Sequence, residues 1–226
     1  MQQLQTKFTT PAGQDLNDMP YDPEAPLAKQ INASVASSLK NLRCDTDSGT
    51  TSYIDSFLLH SPLPTVEETL QAWKLLEEYV PHRIRTLGIS NVTLPVLQAI
   101  FEKAKVKPSV VQNRFYAQTG YDVPLRAFCR ERGIQYQSFW TLTGNPALLR
   151  SEPVTALAQA SDVTIPVALY ALVMEQWVMV LNGSTSTAHM REDLEGVRNV
   201  REWAVSHPRD FGIISEAFKN LVGPVT

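Results

Sequence analysis

The feature that most constrains this chain is an alternation: short apolar runs of strand length take turns with longer segments whose apolar residues recur at helical spacing. Leu4–Thr9 reads as a strand, and Pro20–Pro26 as a loop of turn formers. Leu27, Ile31, Val35, Ser38, Leu39 and Leu42 then fall at helical spacing. Tyr53–His60 is the next strand-length run. Thr65, followed three residues on by Glu68, forms a capping box and opens a helix with Val66, Leu70, Trp73 and Leu76 as its apolar stripe. The cycle repeats. Arg85–Ser90 is a strand, Thr93 caps a helix carrying Leu94, Leu97, Ile100 and Phe101, and Ser109–Tyr116 is a strand. Asp122 caps a helix that stops at Gly133. Ile134–Trp140 is a strand, helices follow near Glu152–Ala160 and Ile165–Gln176, and Trp177–Leu181 is the last strand. A helix starts near Thr187, and from Gly196 on the chain reads as helical with breaks at Pro208 and Gly212.

Strands alternating with helices imply parallel pairing through right-handed crossovers. The runs are nearly continuous in apolar residues, as expected where helices cover both faces of a sheet. No Gly-x-Gly-x-x-Gly follows any strand, which tilts the choice from a doubly wound sheet towards a barrel. The 226 residues, 43% hydrophobic and 19% charged, are enough for a sizeable core. We expect one domain, residues 1–226. The formal net charge of −3, with no concentration of Lys and Arg, gives no reason to expect a nucleic-acid or membrane partner. No segment has the roughly 18 apolar residues of a spanning helix, and the start, MQQLQTKFTTPAG, has no apolar signal core. A cytoplasmic protein is expected. Cys44 and Cys129 fit no metal spacing and read as two free thiols.

In a (β/α) barrel, chemistry gathers at the C-terminal ends of the strands. Those ends here carry Lys7, His60, Ser90 with Asn91, Gln112 with Asn113, Gln137 with Ser138, and Asn182 with Ser184. Each alone is weak, since a lysine near a terminus is usually solvated and an Asn after Ser is usually a turn former. Their common placement points to a site.

At these residues the chain resembles the aldo-keto reductases. QTKFT (5–9), YIDSFLLHSP (53–62), TLGISN (86–91), VVQNRFY (110–116) and NGSTSTAHMREDL (182–194) match the family's motifs in order, from about residue 4 to residue 195. PYDP, LLHSPL and YQSFWTLTG look most like a fungal branch met in secondary metabolism. The resemblance implies an incomplete TIM-type α/β barrel of about six parallel strands, equivalent to strands 3–8 of the family barrel. It implies Lys7 and His60 as catalytic residues acting on a small carbonyl substrate. It implies NADP (NADPH) as cofactor: Ser90, Asn91 and Gln112 would bond the nicotinamide carboxamide. Gln137–Phe139, with Ser138 and Phe139, would match the strand bearing the ring-stacking aromatic. Ser184, Thr185, His189, Glu192 and Asp193 would hold the adenosine phosphate and adenine. No metal is implied.

Two departures bear on cofactor choice: Gly183 stands where the family has a lysine and His189 where it has an arginine, with Arg191 nearby as compensation. A third bears on the chemistry. The resemblance places the family's Asp and Tyr on strands before Lys7, so the expectation is a chain without either, in which Tyr21 or Tyr116 would have to substitute. Two open strand edges would follow, closed by a homodimer or by the C-terminal segment. Three functions therefore compete: acid/base chemistry (isomerisation, dehydration or cyclisation) on a carbonyl intermediate, NADPH-dependent carbonyl reduction with a substitute proton donor, and a non-catalytic role.

Overall fold

The computed structural model describes residues 3–15, 17–42 and 52–225 and divides into two compact units, Met1–Gln112 and Asn113–Thr226. Cys44 lies outside the described residues. Among the described residues, six strands follow one another in chain order in a single sheet, β1 through β6, which is not closed into a barrel. The expected six-stranded parallel architecture is therefore present.

The first unit holds β1 (Gln5–Phe8), α1 (Leu27–Asn41), β2 (Ile54–Leu59), α2 (Val66–Glu77), β3 (Ile84–Ser90), α3 (Leu94–Lys103) and the start of β4 (Val110–Arg114). Its pairings are parallel, with Lys7 opposite Leu58, Leu58 opposite Gly88, and Gly88 opposite Val110. Ile54, Phe57, Leu58 and Leu59 of β2 are wholly buried, which is why the end of this strand reads as a continuous apolar run rather than an alternation. Gly88 is required by close packing. A Cβ there would stand 2.7 Å from the Val110 carbonyl oxygen and 2.9 Å from Leu58. On α2 the capping box forms as expected, with Thr65 and Glu68 each satisfying the other's backbone N–H. Its buried face, however, is Thr69, Ala72, Trp73 and Leu76. Val66 and Leu70 are only half covered, so the true stripe is rotated from the expected one. Thr69 sits inside because its hydroxyl donates to the Thr65 carbonyl and accepts the Leu63 N–H. Trp73 fills the core and donates its indole N–H to the Val106 carbonyl at 2.9 Å.

The second unit holds α4 (Val123–Glu131), β5 (Gln135–Phe139), α5 (Glu152–Ala160), α6 (Ile165–Met174), β6 (Val178–Val180), α7 (Thr187–Ser206) and α8 (Pro208–Val222). β5 and β6 pair in parallel, with Ser138 opposite Val180. Every residue of α6 from Val167 to Val173 is buried. Gly196 lets α7 approach it, since a Cβ there would meet Val167 at 2.7 Å. Three expectations are corrected here. Gly212 does not break the last helix, because it faces open space and an isolated glycine costs a helix only about 1 kcal/mol. Neither Asp122 nor Thr93 caps its helix with a side-chain hydrogen bond. The Asp122 carboxylate instead accepts from Asn113 at 2.8 Å and from the Tyr136 hydroxyl at 2.9 Å. Buried Arg126 donates to the carbonyls of Tyr121, Val222 and Gly223, tying the end of α8 to α4. Cys129 is buried as a free thiol, and burial with the Asp122 charge pushes its pKa up to about 12.

Among the described residues no single helix is long and apolar enough to cross a membrane, and no cluster of three or more His, Cys, Asp and Glu is placed to hold a metal.

Candidate active site

In the first unit, Lys7, His60, Ser90, Asn91 and Gln112 come together at the C-terminal ends of adjacent strands. Parallel register causes this: Phe8 is opposite Leu59, and the His60 N–H donates to the Phe8 carbonyl at 2.8 Å, so the residue before the end of β1 and the residue after the end of β2 are neighbours. Both side chains are half-buried. Burial lowers the Lys7 pKa, and among the described residues no carboxylate pairs with it. Burial first, and the Lys7 charge second, lower the His60 pKa, so the imidazole is neutral at pH 7. The tight turn after β1 runs beneath the imidazole, with the position of a Gly13 Cβ 3.8 Å from His60 Nδ1.

Beside this pair, β3 and β4 build a rigid polar bracket. Asn91 adopts the left-handed backbone (φ 53°) that asparagine tolerates better than most residues. Its backbone N–H and the Ser90 hydroxyl both donate to the Gln112 carbonyl, at 3.1 and 2.6 Å. The Asn91 side-chain amide donates to the His60 carbonyl at 2.9 Å and to Ser90 Oγ at 3.3 Å. Both donors of that amide are thus used inside the protein, leaving Oδ1 to accept from a ligand. Ser90 and Gln112 are buried, while Asn91 is exposed. A carboxamide needs such a pre-aimed acceptor, so these residues fit a nicotinamide.

Tyr21 is one of the two expected substitute acids, with Tyr116 the other, and its surroundings argue against it. Its hydroxyl donates to the Thr9 carbonyl, the Gln14 amide donates to it at 2.7 Å, and burial raises its pKa despite that bond. The ring packs on Phe8.

In the second unit the other candidates are arranged differently. Ser138 is fully buried and shares a 2.9 Å hydrogen bond with Thr141. Phe139 is half-buried at the end of β5 and meets the Trp140 ring edge-on at 6.3 Å between centroids. Ser184 Oγ accepts the Ser186 N–H at 3.0 Å, and Ser186 in turn caps α7 by accepting the His189 N–H at 3.3 Å. Asp193 is occupied by Asn182 at 2.6 Å, and it joins burial in raising the Tyr170 pKa to about 12. Thr185, His189 and Glu192 are exposed. Arg114 and Trp140 escaped the sequence reading. The only available signal was an arginine and a tryptophan at strand ends where a core residue would be apolar.

The comparisons bear on the family of the chain. The model of the aldo/keto reductase family matches residues 4–211, and the chain belongs to that family. It is 28% identical over 134 residues to a glyoxal reductase of Bacillus subtilis, covering 59% of this chain and 45% of that protein. It is 26% identical over 190 residues to a 7-acetyl-epi-neemfruitin B aldo-keto reductase of Melia azedarach, covering 74% of this chain and 56% of that protein. These matches span only about half the length of either relative. Among solved structures, the aldo-keto reductase MGS-M4 from a deep-sea metagenome library superposes with a TM-score of 0.65 at 22% identity, covering 89% of this chain and 70% of that one. A Gox0644 mutant in complex with NADPH gives 0.63 at 20% identity, with the same coverage.

Proposed function

We propose that the protein is an NADP-dependent enzyme that reduces a small carbonyl compound, with Lys7 and His60 at the carbonyl oxygen. One observation carries this reading: an unneutralised lysine and a neutral imidazole share one strand-end position beside a bracket whose free acceptor suits a carboxamide. The Lys7 ammonium stabilises negative charge as it develops on the oxygen. The neutral His60 imidazole donates an N–H hydrogen bond to that oxygen; as hydride reaches the carbon, that proton passes to the oxygen and the other ring nitrogen takes up a proton from water. Ser90, Asn91 and Gln112 orient the nicotinamide end of the cofactor, and Thr185, His189 and Glu192 are proposed for its adenosine end. NADPH, when bound, supplies the hydride. The departures at Gly183 and His189 support a weaker preference for the 2′-phosphate than a lysine and arginine would give. The relatives named as reductases support the redox reading.

A second reading is acid/base chemistry on a carbonyl intermediate of secondary metabolism. The engagement of Tyr21 favours it, because it leaves Lys7 and His60 as the ionisable pair at this end of the first unit. One experiment separates the two: follow product and NADPH together. Stoichiometric consumption supports reduction, product formed with no NADPH consumed supports proton transfer, and absence of NADPH binding at millimolar concentration defeats the reductase reading.

We also propose self-association in the second unit. Trp177 is 73% exposed and Met179 on β6 is 39% exposed, and apolar strand edges invite pairing. Light scattering showing a stable monomer at micromolar concentration would count against it.

A further inference from the structure

Tyr21 is a buried phenol that the proposed chemistry leaves unused. Its hydroxyl donates to the Thr9 carbonyl and accepts from the Gln14 side-chain amide at 2.7 Å. The same amide donates to the Thr9 carbonyl at 2.6 Å. These three residues close a ring of hydrogen bonds across the short turn Pro11–Gly13 that follows β1. The turn's own backbone bonds are few: the Gly13 N–H donates to the Thr10 carbonyl at 2.9 Å and the Gln14 N–H to the Pro11 carbonyl at 3.3 Å. A single turn of this kind does not hold its shape alone. The side-chain ring at Thr9 supplies what it lacks. At the far end of the same loop, buried Gln30 donates to the Pro23 and Ala25 carbonyls, so the segment is tied down there as well.

The clamped turn meets His60 in two ways. A Cβ at Gly13 would stand 3.8 Å from His60 Nδ1 and 2.9 Å from Thr9 Cγ2, so the turn packs on the Nδ1 edge, and a glycine lets it fold this closely over Thr9. The Tyr21 ring lies 5.6 Å, centre to centre, from that of Phe8, whose carbonyl accepts the His60 N–H at 2.8 Å. The His60 carbonyl in turn accepts the Asn91 amide. The histidine backbone is thus bonded on both sides. Its ring is not: among the described residues no group hydrogen-bonds either ring nitrogen. A working imidazole is ordinarily aimed by a hydrogen bond at the nitrogen turned away from the substrate. Here packing must do it, and the turn held by Tyr21 and Gln14 is what packs on the Nδ1 edge.

We propose that Tyr21 and Gln14 are positioning residues for His60: by locking the Pro11–Gly13 turn against the Nδ1 edge, they hold the ring so that Nε2 faces the substrate oxygen. The inference rests on the reading that puts His60 at that oxygen. It gives the phenol a part in the reaction with no proton transfer of its own. The raised Tyr21 pKa, caused by burial, suits that part, because the hydroxyl keeps the proton it donates to Thr9. All of these residues belong to the first unit.

The test reads the ring directly, by nuclear Overhauser contacts in the whole chain. The Gly13 α-protons should reach His60 Hε1, which lies between the two nitrogens, and not Hδ2 on the other side of the ring. The two signals are identified by their loss in His60→Ala. Tyr21→Phe removes only the hydroxyl and Gln14→Leu only the amide's bonds, and each should spread the contact over both ring protons. With glyoxal as the carbonyl probe, each should also lower kcat by about tenfold, inside the ~10²-fold that an ångström of misplacement costs, while KM and NADPH affinity change less than about twofold. A Gly13 contact to Hδ2 in the unmodified chain would overturn the proposal. So would ring contacts unchanged in both variants, or a rise in KM with kcat unaltered. If Tyr21→Phe fails to fold, Gln14→Leu decides by the same readings, since that side chain is only half-buried. Turnover that survives His60→Ala while the ring contacts behave as expected would sink the catalytic reading and leave the clamp standing, so the two failures are told apart.

Discussion

In the first unit the polar strand ends hold one another, whereas in the second they are spent on holding loops. Asn91 bonds His60 and Ser90, and Ser90 and the Asn91 backbone both bond Gln112, so the bracket inherits the rigidity of three adjacent strands. Ser184 closes a turn, Ser186 caps a helix and Asp193 secures Asn182, so the exposed candidates of this unit, Thr185, His189 and Glu192, stand on a segment stabilised by its neighbours' bonds. Sites on strands are more exact than sites on loops. The difference supports the proposal that places Lys7 and His60, in the first unit, at the substrate, and leaves the exposed start of α7 for the more adjustable contacts proposed there.

The largest break in this comparison should come from the pair at the β1 and β2 ends. Lys7→Met and His60→Ala should each lower kcat/KM by about 10²–10⁴-fold, the range of general acid–base and related proton handling, with an unchanged circular dichroism spectrum. Turnover that survives the double substitution would move the chemistry elsewhere. Next is the core of the first unit. Trp73→Ala removes a buried indole and its hydrogen bond and should cost about 3–5 kcal/mol in urea unfolding. A cost below 1 kcal/mol would mean that α2 is not packed as described.

A sharper contrast lies in the cofactor contacts. Asn91→Ala breaks the bracket and should weaken NADPH binding about tenfold, the worth of one or two hydrogen bonds. Thr185→Ala, on the exposed loop, should change it less than threefold. The reverse order would place recognition in the second unit.

The smallest effect is the titration of His60. Its folded pKa lies below the ordinary 6.5, so the unfolded chain binds the proton first as pH falls. His60 therefore costs nothing above about 6.5, and stability should decline as pH drops from there through the folded pKa. Proton NMR of the imidazole should show that lowered value moving up in Lys7→Met, because the neighbouring charge is one of its two causes. No movement would leave burial as the only cause.

Much of this was legible in the chain itself. The order of strands and helices, the parallel pairing and the capping box at Thr65 follow from hydrophobic period and local hydrogen bonding, which act within a few residues. The gathering of Lys7 with His60 was legible too, because sequential parallel strands bring equivalent ends together. Contacts between distant residues were not. Asp122 leaves its helix for Asn113 and Tyr136, and Tyr21 is engaged by Thr9 and Gln14. A polar side chain takes whichever partner burial leaves within reach, and that choice exists only once the chain has folded. The stacking of Arg114 on Trp140 and the left-handed backbone that carries the ring belong to the same class: the residues were written in the sequence, but their meeting was decided by the ends of two strands and a loop held by Asn145.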